Sequence, residues 1–381
     1  MAGLRPKVQI EKSMDKKTIC IFTIHAYNYG AVLQACALRL FCEKTIRDSD
    51  VRIVGFYREC HSRIFRRQSE RPLINLALNV LSAFRYGALK RRLRRESRFI
   101  RKYGKLSVHY DSPEALLKNP PPADCYITGS DQVFNSNSVC PQLFYLGFPT
   151  GCSARKIAYA PSFGFSVFSE EFIAGISGYL KDFSALSCRE TSGAELLSRI
   201  SGRIVPTVVD PTMLLDRDEW DAMAADPGYN RKYILVYDLN GAERLIQMAK
   251  EIQWSTGLPI VCLTGKVQKF YPVDKQVYDA GPAEFVGWIK NAEYVVTDSF
   301  HGSVFSLIFH RRFYTYVALE RAAERLTTLF DSLGISDRLV RDGDTGINLS
   351  RYVDRDYQSA MNDLIRHSKA YLVNAIMGCD E

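Results

Sequence analysis

The chain reads as an α/β protein of two units facing a cleft, and three features of the sequence predict it. Short apolar, strand-like runs alternate with segments of helical spacing along most of the 381 residues. A polar, acidic stretch holding Pro227-Gly228 divides that alternation into two sets. Several strand-like runs also pass straight into small or polar residues and then a helix, the βα geometry that turns backbone N–H groups toward a ligand. The expected units are residues 1–215 and 231–350, joined by a linker at 216–230. A last helix within 351–381 is expected to fold back on the first unit.

In order, Thr18–His25 reads as a buried strand and Asn28-Tyr29-Gly30 as its turn. Ala31–Glu43 then has helical spacing, with Val32, Ala35 and Leu38 on one face. Val51–Tyr57 is a second strand, and Leu73, Leu76, Ala77, Val80, Leu81, Phe84 and Ala88 mark an amphipathic helix. Strands follow at Cys125–Thr128, Lys156–Ala160, Phe183–Cys188 and Val205–Val209, with helices at Glu170–Lys181 and Ala194–Ile200. The second set comprises strands Tyr233–Tyr237, Pro259–Leu263, Tyr294–Thr297 and Phe313–Val317. Its helices are Ala242–Trp254, Pro282–Asn291, the run to Phe309 and one from Arg321, and Asp356–Ala375 closes the chain.

With 46% hydrophobic and 24% charged residues the composition is that of an ordinary globular protein, and no apolar run reaches membrane-spanning length. Lys12, Asp15, Lys16 and Lys17 interrupt any signal-peptide-like stretch, so a cytoplasmic protein with reduced thiols at its ten cysteines is expected. No CxxC pair or zinc-like spacing occurs, and no metal site is read. The net charge of +8 is uneven: Arg58–Lys105 carries fifteen Lys/Arg against three Glu. That basic helical insertion is either a solvated face or a surface drawn to anionic lipid, through Arg85–Lys105, at the inner face of the plasma membrane. No nucleic-acid-binding module is recognisable, so nucleic acid is not expected as a partner.

The stretch YVVTDSFHGSVFSLIF (Tyr294–Phe309) runs from a buried strand through Asp298-Ser299-Phe300-His301-Gly302 into a helix. Asp298 or Ser299 can cap that helix, its first N–H groups favour an anion, and His301 adds a titratable group. The competing reading makes Gly302 a packing residue and His301 a hydrogen-bonded turn residue. Asp298 and Asp210 are read as caps and turn formers. Asp131 is either a helix cap or a partner for sugar hydroxyls.

Four blocks, in order, resemble the polysaccharide pyruvyl transferase family. They are HAYNYGAVLQACAL (His25–Leu38), GSDQVFN (Gly129–Asn135), LSCRE with VVDPTMLL (Leu186–Glu190, Val208–Leu215) and TDSFHGSVFS (Thr297–Ser306). RAAERLTTLFDSLGISDR (Arg321–Arg338) is a weaker fifth, departing at Glu324, where a small polar residue is usual. The resemblance implies two Rossmann-like domains in a GT-B-like glycosyltransferase architecture. It also implies transfer of the pyruvyl group of phosphoenolpyruvate to two hydroxyls of a sugar in a surface-polysaccharide or lipid-linked precursor, forming a cyclic ketal. Phosphoenolpyruvate is then a co-substrate, and no cofactor is expected.

Against that chemistry, His301 is the candidate proton donor, and Arg189 and Arg325 the guanidinium forks for phosphate and carboxylate. Ser299, Gly302, Ser303 and Arg321 are expected on the donor side. His25, Asn28, Gln34, Asp131, Gln132, Asn135 and Ser162 are expected to contact the acceptor or the domain interface. Two alternatives stay open: a glycosyltransferase using a nucleotide sugar, and a non-catalytic carbohydrate- or membrane-binding relative.

Overall fold

The computed structural model describes residues 16–26, 28–55, 72–107, 109–135, 140–151, 153–241, 243–266, 269–318, 320–344, 347 and 354–378, with backbone alone for 72–86 and 320–322. The first unit is a parallel sheet of β1 (Lys17–Phe22), β2 (Ser49–Ile53), β3 (Cys125–Thr128), β4 (Arg155–Ala158) and β5 (Ala185–Leu186), in the order β2-β1-β3-β4-β5. Around it lie α1 (Tyr29–Thr45), α2 (Pro72–Tyr103), α3 (Pro113–Lys118), α4 (Pro141–Phe144), α5 (Glu170–Leu180) and α6 (Thr191–Ser201). The chain order reverses between β1 and β3. The turns after these two strands therefore meet at the crevice where open α/β sheets bind ligands.

The second unit holds β6 (Ile234–Asp238), β7 (Ile260–Thr264), β8 (Lys275–Val277), β9 (Tyr294–Thr297), β10 (Arg312–Val317) and β11 (Leu339–Arg341), also parallel. Their order, β8-β7-β6-β9-β10-β11, is that of the Rossmann sheet, with its switch point between β6 and β9. The two sheets make the GT-B-like pair of Rossmann-like units. Its helices are α7 (Arg217–Met223), which precedes β6, then α8 (Glu243–Thr256), α9 (Pro282–Lys290), α10 (Phe300–Ile308) and α11 (Glu320–Leu333). The last helix, α12 (Gln358–Met377), returns to the first unit: Arg155 Nε donates to Ala375 O at 2.9 Å, and Val209 N to Ser368 Oγ at 3.0 Å.

α1 is apolar nearly all round, with Tyr29–Cys42 buried at all but one position, as befits a helix enclosed on every side. Its first turn faces the second unit, where Tyr29 stacks on Phe285 with ring centroids 4.9 Å apart. One apolar cluster thus runs from Ile19 and Val51 through α1 to Phe285, Phe305 and Phe330. The stretch read as a linker is partly packed. Asp216 and Glu219 form a capping box at the start of α7, and Trp220, fully buried, meets Phe305 edge-on at 4.9 Å.

The basic insertion also differs from its simplest reading. α2 is unbroken from Pro72 to Tyr103, and its cationic half lies on the second unit. Arg91 pairs with Asp279 at 2.8 Å, Arg95 pairs with Glu284 at 3.1 Å and donates to Asp279 O at 2.7 Å, and Arg92 sits 4.8 Å over the Tyr29 ring. Lys105 pairs with Glu43 and Asp50, each at 2.9 Å. These four residues serve internal contacts and are not free for a membrane. Residues 58–71 lie outside the described residues, as does the side chain of Arg85. Among the described residues no helix is long and apolar enough to cross a membrane.

Candidate active site

The site forms where α10 leaves β9 at the switch point. Ser299 caps the helix, its Oγ accepting from Gly302 N at 3.3 Å, and Ser299 N donates to Thr297 Oγ1 at 3.1 Å. A Cβ on Gly302 would stand 2.6 Å from Thr297 Oγ1, so only glycine lets the helix begin directly on the strand end. This tight start carries His301 across the domain interface. Its imidazole lies flat against the backbone of Gly30, where a Cβ would overlap both Nδ1 and Cγ.

The other ring nitrogen faces Asp210 from the first unit: Nε2 stands 3.4 Å from Oδ2. That is long for a hydrogen bond, and Nε2 is buried with no hydrogen-bond partner among the described residues. Asp210 Oδ1 accepts from Thr212 N at 3.0 Å and Thr212 Oγ1 at 2.7 Å, the turn-forming role expected of it. Its second oxygen collects Arg189 Nη1 at 2.7 Å and Ser130 Oγ at 2.8 Å as well as His301. Burial opposes the charge on Asp210, yet His301, Arg189 and the Thr212 N–H outweigh it and hold the carboxyl well below the usual range. Burial likewise opposes the Arg189 charge, and Asp210, Asp131 and Glu190 more than offset it.

A cavity of about 250 Å³ opens beside this network, lined by Arg189, Arg325, Asp210, Thr191, Phe300 and Leu329 among others. Phe300 lies beside both cations, its ring centre 4.4 Å from the Arg189 guanidinium carbon and 6.0 Å from that of Arg325. Arg189 Nε and Nη2 and Arg325 Nε are buried with no hydrogen-bond partner among the described residues. Burial and the neighbouring Arg189 push the Arg325 pKa down. Three acids, Asp210, Asp131 and Glu190, act on both cations, yet these N–H groups stay unspent and are free to meet a ligand's oxygens. Glu190 also faces this corner: its Oε1 accepts from Phe163 N at 2.5 Å, and burial raises its pKa against the pull of Arg189.

Arg189 and Arg325 share the cavity, His301 joins them through its contact with Asp210, and Asp131 is near enough to act on both guanidiniums, whereas several other expected residues are engaged elsewhere. Gly302 has its N–H taken by the Ser299 cap and is not a free donor for a ligand. Ser303 is wholly buried, its hydroxyl shared with Ser299 O at 3.0 Å and Thr315 Oγ1 at 2.7 Å, which removes it from the donor side. The side chain of Arg321 lies outside those described.

Gln34 is wholly buried and donates to Thr23 Oγ1, Ile24 O and Ala31 O at 2.8–3.0 Å, so it pins the β1–α1 turn and cannot reach an acceptor. Asn28 caps α1 through Ala31 N at 2.7 Å, and the half-buried His25 places Nδ1 3.1 Å from Thr23 O, where burial lowers its pKa. Asp131 adopts a left-handed φ of 73° and accepts from Gln132 N at 2.9 Å, while Gln132 Oε1 takes Asn135 Nδ2 at 3.2 Å. Ser162 is wholly buried, its carbonyl accepting from Phe134 N at 3.2 Å, and offers no surface to an acceptor.

Asp210, Phe300 and Gly30 are site residues that sequence reasoning did not place. No local signal marks the second oxygen of Asp210 or the partner of Gly30, since both contacts join distant parts of the chain. Asp298 is a loop-former, as read: its carboxylate takes Leu239 N at 2.9 Å and Asn240 N at 2.8 Å. Glu324, the departure noted above, binds Ser192 N at 2.8 Å and Ser192 Oγ at 2.6 Å, capping α6 across the interface.

Among solved structures the chain is similar to UDP-GlcNAc 2-epimerase from Neisseria meningitidis bound to UDP-GlcNAc, with 10% identity, 95% of this chain and 100% of that one covered, and a TM-score of 0.47. It is also similar to the Candida albicans trehalose-6-phosphate phosphatase N-terminal domain (10% identity, 96% and 97% covered, TM-score 0.48). The E. coli heptosyltransferase WaaC with ADP follows (11% identity, 92% and 99% covered, TM-score 0.39). No curated protein matches. The family model for polysaccharide pyruvyl transferase matches residues 28–317, a span that contains Gly30, Arg189, Asp210 and His301, and the chain belongs to that family.

Proposed function

We propose that the protein transfers the pyruvyl group of phosphoenolpyruvate to two hydroxyls of a sugar in a surface-polysaccharide or lipid-linked precursor, forming a cyclic ketal. The observation that carries this is the pair of guanidiniums at a cavity of about 250 Å³, each with a buried, unspent N–H, one of them sharing a carboxylate oxygen with His301. A small donor with a phosphate and a carboxylate fits two forks, and its methylene end suits the apolar ring of Phe300 beside them.

In the first step the methylene carbon takes a proton from the His301 imidazolium, and positive charge develops at the adjacent carbon. A sugar hydroxyl adds there and loses its proton. A second hydroxyl of the same sugar then displaces phosphate, closing the ketal ring. The Asp210 carboxylate faces the imidazole and orients it, and Arg189 and Arg325 offset the donor's negative charge throughout.

The test is to incubate the full-length protein with phosphoenolpyruvate and a panel of free and lipid-linked galactosides, reading ketal by mass spectrometry and phosphate by colorimetry. Ketal and phosphate in equal amounts are expected. Arg189→Ala and Arg325→Ala should each weaken phosphoenolpyruvate binding by about 10- to 100-fold, the worth of a charge-assisted hydrogen bond. Unaltered donor affinity in both variants, or nucleotide release from a nucleotide sugar without use of phosphoenolpyruvate, overturns the proposal.

A further inference from the structure

We propose that α2 seats the protein on an anionic bilayer surface through Lys90, Arg94, Arg98 and Arg101. The cationic half of α2 carries two faces with opposite uses. Ala88, Arg92, Arg95 and Phe99 turn inward, with Ala88 and Phe99 buried, Arg92 on Tyr29 and Arg95 on Asp279 and Glu284. Lys90, Arg94, Arg98 and Arg101 turn outward and are exposed, and none of them is in an ion pair among the described residues. At 100° per residue these four fall within about 80° of arc and span about 16 Å along the axis. The result is a straight row of like charges.

A solvated helix face ordinarily mixes signs, and elsewhere this chain does so: Arg91, Arg95 and Lys105 each have an acid beside them. Like charges left side by side repel, so the row is a standing cost relieved by a surface of opposite sign. One feature singles out a bilayer. The same helix continues toward its amino end through PLINLALNVLSAFRYGAL (72–89), which has one charge, Arg85, no acid, and apolar residues at intervals of three and four. Cationic residues adjoining such a stretch are the pattern of helices that lie in a membrane interface. Arg92, on the opposite side of the same turns, lies over Tyr29, so the inward face holds α2 to the rest of the protein while the row stays turned outward.

The inference does not draw on the donor chemistry, and its test needs no substrate. Full-length protein is mixed with vesicles of phosphatidylcholine alone or with phosphatidylglycerol added, and the bound fraction is read by flotation. Binding is expected on the anionic vesicles only, and it should fall as salt is raised. The variant K90E/R94E/R98E/R101E should lose at least about a hundredfold in partitioning, four charges near the surface each counting. A control reversing Lys118, Lys181, Arg231 and Lys250, which are exposed elsewhere, should keep most of it. If the Glu variant fails to fold by circular dichroism, K90Q/R94Q/R98Q/R101Q replaces it, with the same loss expected. Equal binding to both vesicle types, equal loss in the control, or retention of single-stranded nucleic acid in place of anionic vesicles overturns the inference.

Discussion

Gly30→Ala is the sharpest test of how His301 is held. The new methyl group would overlap Nδ1 and Cγ of an imidazole whose side chain is only 9% exposed, so the ring cannot simply tilt into solvent. Either α1 moves, against its packing on Phe285 and Tyr237, or the ring turns away and gives up Asp210. Overpacking of this kind costs about 1–3 kcal/mol, which for a domain of 150–250 residues is about 2–4 °C of Tm per kcal/mol. Turnover should fall much further, because an acid out of place forfeits about 10²–10⁴ in rate. Differential scanning fluorimetry and phosphate release report the two quantities separately. The decisive variant is the double one. In His301→Ala the space beside Gly30 is empty, so adding Gly30→Ala should cost almost nothing further in stability, a coupling of about 1–3 kcal/mol. If the two stability losses simply add, or if Gly30→Ala alone keeps near-normal turnover, the imidazole does not rest on Gly30 and the placement of the acid is wrong.

Asp210→Asn removes the carboxylate that His301 Nε2 faces at 3.4 Å and that Arg189 pairs with at 2.7 Å, so turnover should fall by about 10²-fold while donor affinity changes less than in Arg189→Ala; near-normal turnover would separate Asp210 from the acid. The same carboxyl gives a stability signature. Its pKa is depressed in the fold, so its contribution is complete above the ordinary carboxylate range and is lost as pH falls through the folded value. Urea unfolding should therefore show the wild type losing its advantage over Asp210→Asn only in strongly acidic solution. Glu324→Ala uncaps α6 and orphans Ser192 N, for an expected loss of about 1–2 kcal/mol, whereas Glu324→Gln should recover most of it because both contacts can be remade.

Much of the scaffold was legible because its signals are local. The alternation of strands and helices and the Ser299 cap depend on residues a few positions apart. The edge strands β8 and β11, three residues each, were not read, since so short a run shows no periodicity. α7 carried a readable sign, the Asp216-x-x-Glu219 capping box, that the polar composition of its surroundings obscured. Some expected binding residues were misplaced for a different reason. Amides and hydroxyls such as Gln34 on the acceptor side and Ser303 on the donor side look available in a sequence, but once buried they are claimed by the backbone or by neighbouring hydroxyls, and Ser162 is enclosed. Arg189 and Arg325 were legible as charges, while the fact that some of their donors remain unspent belongs to the packing alone.

The parts of the site come from both units, with Gly30, Ser130, Arg189 and Asp210 on one side and Phe300, His301 and Arg325 on the other. Sites divided in this way are often assembled only when domains close, since intra-chain domain interfaces are commonly small and polar. Here an apolar core crosses the interface beside its polar contacts. The apolar cluster passes without a break from the first sheet through α1 to the second, and α2 is fastened to Asp279 and Glu284 from outside. Opening the cleft far enough to part His301 from Asp210 would expose that core and leave a buried Arg189–Asp210 pair short of its surroundings, both costly. His301, Asp210, Arg189 and Arg325 are thus held in one arrangement by the fold itself. On the proposed reading, rate enhancement would come from charges fixed before binding, with little binding energy diverted into domain closure.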